Sequence, residues 1–160
     1  MITQKRLQEL LIYNPETGIF TWNIPKKCVK AGDIAGTQSD RYTKIGIDYK
    51  VYSNHRLAWL YVYGYMPNVI DHINGNKKDN RLCNLREASS KQNSQNSKKP
   101  SNNTSGIKGI SFDKYHNKWR AELYANGKRV FIKYFNAFDD AITAIKEARI
   151  IYHGDFAREA

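Results

Sequence analysis

The segment 71–93 combines a carboxylate, an imidazole and a series of amides at short intervals. Hydrolysis of a phosphodiester needs an activated water, a cation near the charge that develops, and a group that fixes the base. His72 suits the role of general base, Asp71 is the carboxylate beside it, and Asn93 can add a neutral oxygen to the same cation. The segment therefore favours metal-dependent hydrolysis of phosphodiesters.

The candidate metal ligands are all oxygens, and they are few. A hard ion that completes its shell with water and substrate phosphate oxygens fits such a set, so we expect Mg²⁺ or Mn²⁺ and no small-molecule cofactor. Successive strand residues point to opposite faces, so Asp71 and His72 need a local bend to share one direction. Gly75 is consistent with such a turn.

The elements that must position these residues follow a strand, loop, strand and helix order. We predict strands at 69–73 and 84–88, with a polar loop at 74–80 between them. A helix that begins at Ser89 or Ser90 would carry Asn93 and Asn96 on one face, which leaves the choice of ligand between them open. Upstream, the pattern predicts a first helix capped by Thr3, a hairpin within 42–52 and a buried helix that begins near Asn54 and ends at Gly64.

Five short motifs carry a resemblance that covers residues 1–98. They are His55-Arg56-Leu57, Asp71-His72-Ile73-Asn74-Gly75-Asn76, Asp79-Asn80-Arg81, Asn84-Leu85-Arg86 and Gln92-Asn93. This part of the chain resembles the HNH homing endonucleases of phages and mobile introns. The last position of the motif is Asn93 here, whereas it is often His in other branches of the family. The resemblance implies an α+β fold with a ββα-metal, or His-Me finger, module. By position, Asp71 and Asn93 would bind the ion, His72 would activate water and Asn84 would orient His72.

The last third of the chain predicts three antiparallel strands and a helix. The strands lie at 107–113, 119–125 and 128–135, with an Asn126-Gly127 turn, and the helix runs from an Asn136 cap to Gly154. Alternation predicts that Trp119, Ala121, Leu123, Val130, Ile132 and Tyr134 face the helix. The opposite face would then carry Arg120, Glu122, Tyr124, Arg129, Phe131 and Lys133. Basic and aromatic residues on one sheet face are typical of nucleic-acid binding.

A second resemblance covers residues 105–157. It is carried by Gly109-Ile110-Ser111-Phe112-Asp113, Lys118-Trp119-Arg120-Ala121, Asn126-Gly127-Lys128-Arg129, Tyr134-Phe135 and His153-Gly154. This segment resembles the AP2 DNA-binding domain, which implies a small three-stranded antiparallel sheet, packed on one helix, that enters the major groove. By position, the DNA-facing residues would be Lys108, Ser111, Arg120, Glu122, Tyr124, Arg129, Phe131 and Lys133. Plant members carry arginine at several positions that are Ser111, Asp113 or Tyr124 here, so no base preference is carried over.

Charge and composition agree with a nucleic-acid partner. The 160 residues include 26 Lys or Arg and 15 Asp or Glu, for a net charge of +11, which favours a polyanionic partner. The two cysteines provide neither a disulfide framework nor a zinc finger. Charges interrupt the first ten residues too early for the apolar run of a signal peptide, so we expect none, and no apolar stretch approaches a membrane span. We therefore expect a cytoplasmic protein, with the cytoplasm of a phage-infected host as one setting.

The predicted organisation has two domains and a linker. Residues 1–96 form the nuclease domain, of which 1–66 are the helix, hairpin and helix part and 67–96 the metal-binding part. Residues 97–105 have no apolar side chain except proline and are predicted to be the linker. Residues 106–160 form the AP2-like domain.

The predicted function is a metal-dependent endonuclease of double-stranded DNA with a homing or mobile-element role, which leaves 5′-phosphate and 3′-hydroxyl ends. The alternatives are a non-catalytic DNA-binding regulator on an HNH scaffold and an RNA-binding protein. One site cuts one strand, so a monomer is expected to nick DNA, whereas a double-strand break needs a dimer or a second binding event. The role of His55 is open between a structural one and a phosphate contact.

Overall fold

The chain divides into two compact units, Met1–Ala88 and Ser89–Ala160, and each has its own apolar core. The computed structural model describes residues 2–25, 28–39, 41–96 and 103–157. The predicted linker at 97–105 therefore lies largely outside the described residues. The domain boundaries at 96 and 106 stay predictions.

The first unit begins with a short capped helix and a small sheet. Helix α1 (Gln4–Leu10) starts after Thr3, whose side chain accepts a hydrogen bond from the Arg6 amide, as the sequence predicted. Strands β1 (Leu11–Asn14), β2 (Ile19–Trp22) and β3 (Ile34–Ala35) follow and pair in that order. Leu7 and Leu10, three positions apart on α1, are buried in the core of this unit.

A second sheet and a helix complete the frame of the first unit. The sheet contains β4 (Thr37–Gln38), β5 (Thr43–Ile47) and β6 (Lys50–Ser53), which confirms the predicted hairpin within 42–52. Helix α2 (Asn54–Tyr63) follows directly, with Ser53 rather than Asn54 at its cap position. It ends at Gly64, whose φ of 79° is the left-handed stop that the sequence predicted.

A two-stranded ribbon carries the residues with catalytic potential. Strands β7 (Ile70–His72) and β8 (Leu85–Glu87) pair antiparallel, and a single 3₁₀ turn at Leu82–Asn84 precedes β8. Helix α3 (Ser90–Gln95) follows, capped by a reciprocal pair of hydrogen bonds between Ser89 and Gln92. The predicted order of elements is confirmed. Because α3 belongs to the second unit, the ββα-metal arrangement stays a prediction.

The rest of the second unit is a three-stranded antiparallel sheet against one helix. Strands β9 (Ile110–Asp113), β10 (Lys118–Ala125) and β11 (Lys128–Phe135) pair in the order β11-β10-β9. Asn126 and Gly127 both have positive φ in the turn between β10 and β11, as a tight hairpin requires. Helix α4 (Phe138–His153) begins after Ala137 rather than Asn136, and Ile145 on α4 packs in the same core as Ala121 and Leu123.

The side-chain directions predicted for β11 are wrong after its first residues. The pairing of β10 with β11 shifts by one residue between Leu123 and Tyr124, so Leu123 lies opposite Phe131 while Tyr124 lies opposite Arg129. Directly opposed residues share a sheet face. Phe131 therefore packs on the core side, and Lys133, opposite Ala121, also lies on that side. Simple alternation failed because a β-bulge inserts one residue into the strand.

The described part of the chain contains neither a membrane-spanning helix nor a disulfide. None of its helices combines the length and the apolar character needed to cross a bilayer. Cys28 and Cys83 are free thiols, and both are exposed.

Candidate functional site

The β7–β8 ribbon fixes the directions of Asp71 and His72. Asp71 lies opposite Arg86, and His72 lies opposite Leu85. Regular pairing thus continues through both residues and turns them to opposite faces of the ribbon. The chain turns only after His72, where the Gly75 amide donates to the His72 carbonyl at 2.7 Å and Gly75 has a φ of 67°. The bend that the sequence predicted at the strand end is therefore present, but it follows His72 and leaves Asp71 and His72 on opposite faces.

Asp71 is held by an arginine on the neighbouring strand. The Nε and Nη2 atoms of Arg86 donate to the same oxygen, Oδ2 of Asp71, at 2.9 and 2.7 Å. The side chains are 5% exposed for Asp71 and 16% for Arg86, so solvent screens this ion pair weakly. The carboxylate predicted to bind a metal ion therefore has a protein counter-ion in this structure.

Asn84 organises the loop between the two strands. Its Oδ1 atom accepts from the Asn74 amide at 2.9 Å, and its Nδ2 atom donates to the Asp79 carbonyl at 2.8 Å. The Asn84 carbonyl also accepts from the Ile73 amide at 2.9 Å. These contacts clamp both ends of the loop. The orienting role predicted for Asn84 would therefore act through the loop that follows His72.

The side-chain amide that faces the His72 ring belongs to Asn80. Asn80 Oδ1 lies 3.5 Å from His72 Nε2, at the outer limit of a hydrogen bond. The Asn80 Nδ2 atom donates to the Lys78 carbonyl at 3.1 Å, and this contact orients the amide with its oxygen toward the ring. An oxygen opposite Nε2 favours a proton on Nε2, which makes Nδ1 the basic nitrogen of His72.

A second histidine and a tyrosine surround the His72 ring. The rings of His55 and His72 are 5.1 Å apart in an edge-to-face arrangement, and Tyr42 lies 5.1 Å from His55 and 6.3 Å from His72. The ammonium of Lys77 lies 5.2 Å from the centre of the Tyr42 ring. The Nδ1 atom of His55 is buried and has no hydrogen-bond partner among the described residues. The helix that follows β6 thus brings a second imidazole to the candidate base.

Burial keeps both histidines neutral near pH 7. It lowers the pKa of His72, although Asn80, Asp71 and Asp79 act in the opposite direction. Burial and the neighbouring His72 lower the pKa of His55 to about 3. A neutral imidazole can accept a proton, so the state of His72 suits a general base.

The loop is also supported from the N-terminal sheet. The Tyr13 hydroxyl donates to the Asn80 carbonyl at 2.7 Å, and the Leu82 amide donates to the Pro15 carbonyl at 3.1 Å. Gly18, with a φ of 72°, lies so close that a Cβ atom there would be 2.4 Å from the Arg81 nitrogen. The turn between β1 and β2 is therefore pressed against the segment that holds Asn80.

The other predicted metal ligands lie in the second unit. Asn93 is exposed on α3, and Asn96, the residue that ends this helix, is 4% exposed. Within the ranges that the structure describes, no three His, Cys, Asp or Glu side chains form a group that could hold a metal ion. The choice between Asn93 and Asn96 stays open.

Most of the residues predicted to face DNA lie on the sheet face opposite α4, which we call the outer face. It carries Ser111, Arg120, Glu122, Tyr124 and Arg129 from the predicted set, together with Ile132 and Tyr134. Phe131 and Lys133 lie on the other face, and Lys108 lies in the turn before β9. The Nε atom of Arg120 is buried without a hydrogen-bond partner among the described residues.

Sequence reasoning missed three contacts of this site. The Asp71–Arg86 pair depends on the strand register, which the spacing of residues does not give. Asn80 was present in a motif, but the choice between it and Asn84 as the neighbour of His72 needs the course of the loop. The approach of His55 to His72 depends on how α2 packs, although its place in the His55-Arg56-Leu57 motif was a signal.

Comparisons with known proteins identify the region of the chain that contains these residues. The family model of HNH endonucleases matches residues 52–95, a range that contains Asp71, His72 and Asn84. Protein 3.8 of Escherichia phage T7 is 40% identical over 114 residues, which is 69% of this chain and 92% of that protein. No solved structure matches the chain. The chain therefore belongs to the family of phage T7 Protein 3.8, with an HNH endonuclease domain at residues 52–95.

Proposed function

We propose that this protein is a metal-dependent endonuclease of double-stranded DNA, with His72 as its general base. The observation that carries the proposal is the His72 centre inside the matched HNH region: a buried imidazole with a lowered pKa, faced by Asn80 and lying on a loop that Asn84 clamps. The net charge of +11 supports a polyanionic substrate.

In the proposed reaction His72 takes a proton from a water molecule, and the resulting hydroxide attacks phosphorus. The bond between phosphorus and the 3′ oxygen breaks, and this oxygen leaves with a proton from solvent water. The contact between Nε2 and Asn80 would hold the ring in the tautomer whose Nδ1 accepts that proton. The ring of His55 would fix the plane of His72 and keep bulk water away from one side of it. The products would be 5′-phosphate and 3′-hydroxyl ends.

A divalent ion fits the donor groups of the site. Asp71 and either Asn93 or Asn96 would hold it, and such oxygen donors suit Mg²⁺ or Mn²⁺, which keep water and substrate oxygens in their shell, rather than a closed zinc site. The ion would supply positive charge next to the scissile phosphate. Arg86 would hold one oxygen of Asp71 and thereby set the orientation of the carboxylate.

The second unit would hold the enzyme on duplex DNA through the outer face. The support is the set of basic, aromatic and polar side chains on that face, Arg120 included, together with the AP2-like motifs. The homing or mobile-element role rests on the sequence resemblance. With one centre per chain, a monomer would nick DNA and a dimer would cut both strands.

One observation favours a second function, that of a DNA-binding regulator without nuclease activity. Asp71 already forms a buried ion pair with Arg86, and a carboxylate with a fixed counter-ion binds a metal ion less readily. Binding without cleavage would then be the activity. An RNA-binding function is distinguished by competition between duplex DNA and structured RNA.

The test uses supercoiled plasmid with Mg²⁺, Mn²⁺ or EDTA, and compares the wild type with His72→Ala. His116→Ala is the matched control, because His116 is an exposed histidine outside the HNH region. We expect nicking by the wild type and by His116→Ala with either metal ion, and none with EDTA. Loss of a general base should slow His72→Ala by about 10²-fold or more.

Binding of a labelled duplex separates a catalytic defect from a folding defect. His72→Ala should bind the duplex as the wild type does. Undiminished nicking by His72→Ala contradicts its assignment as the base. Tight duplex binding with no nicking by the wild type in either metal ion supports the regulator instead.

A further inference from the structure

The second unit contains a buried arginine whose charge has no carboxylate partner among the described residues. Arg149 on α4 is 6% exposed. Among the residues that the structure describes, its hydrogen-bond partner is the Lys108 carbonyl, to which its Nη2 atom donates. Burial lowers the pKa of the guanidinium. A guanidinium carries five N–H donors and stays charged, so one carbonyl oxygen leaves most of its capacity unused.

A pocket of about 310 Å³ lies against this side chain. Lys108 and His153 line it with Arg149, and the His153 ring is fixed by a 3.0 Å contact between its Nε2 atom and the Tyr124 carbonyl. The acid that lines the pocket is Glu122, whose Oε2 atom lies 3.4 Å from Nη1 of Arg129. The one lining carboxylate is therefore paired with Arg129, and the buried guanidinium of Arg149 is the charged group that this pair leaves in the pocket.

The position and chemistry of the pocket indicate its ligand. Glu122 and Tyr124 belong to the outer face, so the pocket opens beside the surface proposed to meet DNA. The planar guanidinium matches the geometry of two phosphate oxygens, and a buried, carbonyl-held guanidinium is already oriented for such a contact. The volume is that of a small-ligand pocket, which is enough for a phosphate and part of its sugar.

We propose that the pocket at Arg149 binds a phosphate group of the nucleic-acid backbone, with Arg149 as its main donor and Lys108 as a second cation. The site goes beyond the HNH domain, because it lies in the second unit and needs neither the metal ion nor cleavage. A phosphate seated there would accept hydrogen bonds from the N–H groups of Arg149 that the Lys108 carbonyl does not use. It would also fix the register of the duplex without reading its sequence.

The experiment measures duplex binding by the full-length chain in EDTA over a range of salt concentrations. The variants are Arg149→Met, which removes the charge but keeps most of the volume, and Lys108→Gln. Lys146→Gln is the control, since it removes one charge from an exposed position of the same helix. Loss of one phosphate contact should lower the slope of log K against log salt by about 0.9. We expect this for Arg149→Met and Lys108→Gln, and no change for Lys146→Gln.

Titration with inorganic phosphate distinguishes a free phosphate from the backbone. In the wild type it should shift the NMR signals of the Arg149 guanidinium and the His153 ring, and Arg149→Met should abolish the shift of His153. If phosphate causes these shifts but neither variant lowers the salt slope, the assignment to the DNA backbone is wrong. If phosphate causes no shifts and the slopes are unchanged, the pocket binds no phosphate. Should Arg149→Met fail to fold, the result for Lys108→Gln decides.

Discussion

The buried pair of Asp71 and Arg86 gives the sharpest test of how the site is held. Arg86→Met removes the arginine that donates twice to Asp71 Oδ2 and leaves a carboxylate whose side chain is 5% exposed. Removal of one partner of a buried ion pair costs about 3–5 kcal/mol. Because Arg86 itself is 16% exposed, we expect the lower end, about 3 kcal/mol, which is a large part of the stability of a small unit.

Arg81→Met is the matched control for Arg86→Met. Arg81 also lies 2.7 Å from a carboxylate, that of Asp79, but the Arg81 side chain is 48% exposed. Solvent screens such a pair, so its loss should cost much less than the loss of the Asp71–Arg86 pair. The two variants thus remove similar ion pairs that differ mainly in burial.

The measurement is urea unfolding at pH 7 in a Trp119→Phe background. The remaining tryptophans, Trp22 and Trp59, lie in the first unit, so fluorescence then reports that unit alone. A second variant, Asp71→Asn with Arg86→Met, removes the unpaired charge and should recover a large part of the loss. If Arg86→Met costs no more than Arg81→Met, the pair does not hold the site and the reasoning from burial is refuted.

Two further predictions concern the surroundings of His72. Since the pKa of His55 falls from 6.5 to about 3, the unfolded chain binds a proton below about pH 6.5 that the folded unit excludes. The contribution of this group to the free energy of unfolding should be fully present above pH 7 and should fall by about 2 kcal/mol at pH 5. In His55→Gln the free energy of unfolding should depend less steeply on pH. An equal dependence in the wild type and the variant would exclude His55 as the cause. Gly18→Ala should destabilise the first unit and reduce nicking, because its Cβ atom would lie 2.4 Å from the Arg81 nitrogen. Gly32→Ala is the control, because Gly32 also has a positive φ but has open space around it. This variant should lose only the backbone strain of about 1–2 kcal/mol in free energy of unfolding. Equal losses of stability in the two variants would show that the loop does not depend on the turn at Gly18.

Much of the local structure could be predicted because the signals lie within a few residues. Thr3 and Ser89 cap helices through hydrogen bonds to amides three positions away, and Gly64 ends α2 because glycine accepts a left-handed φ. The sheet and helix of the second unit followed from alternation and helical spacing. The family assignment to HNH endonucleases followed from short motifs whose order the chain preserves.

The predictions that failed depend on contacts between distant residues. One β-bulge near Leu123 moved Phe131 and Lys133 to the other face of the sheet. Side chains alternate between the two faces of a strand, so a shift of one residue reverses the face of every residue that follows. The bend expected at the strand end does not turn Asp71 and His72 in one direction, because pairing with β8 holds both residues in a regular strand.

By itself, the sequence determined which residues are the candidates for the chemistry: Asp71, His72 and an array of asparagines in a basic chain. The tertiary structure decided what those residues meet. The strand register pairs Asp71 with Arg86, the loop turns Asn80 toward His72, and the packing of α2 sets His55 against the same ring. It also buried Arg149 beside a pocket that Lys108 and His153 line as well. Residue types fix the reactions that are possible, whereas the pairing and burial of charges depend on long-range packing, which local spacing does not encode.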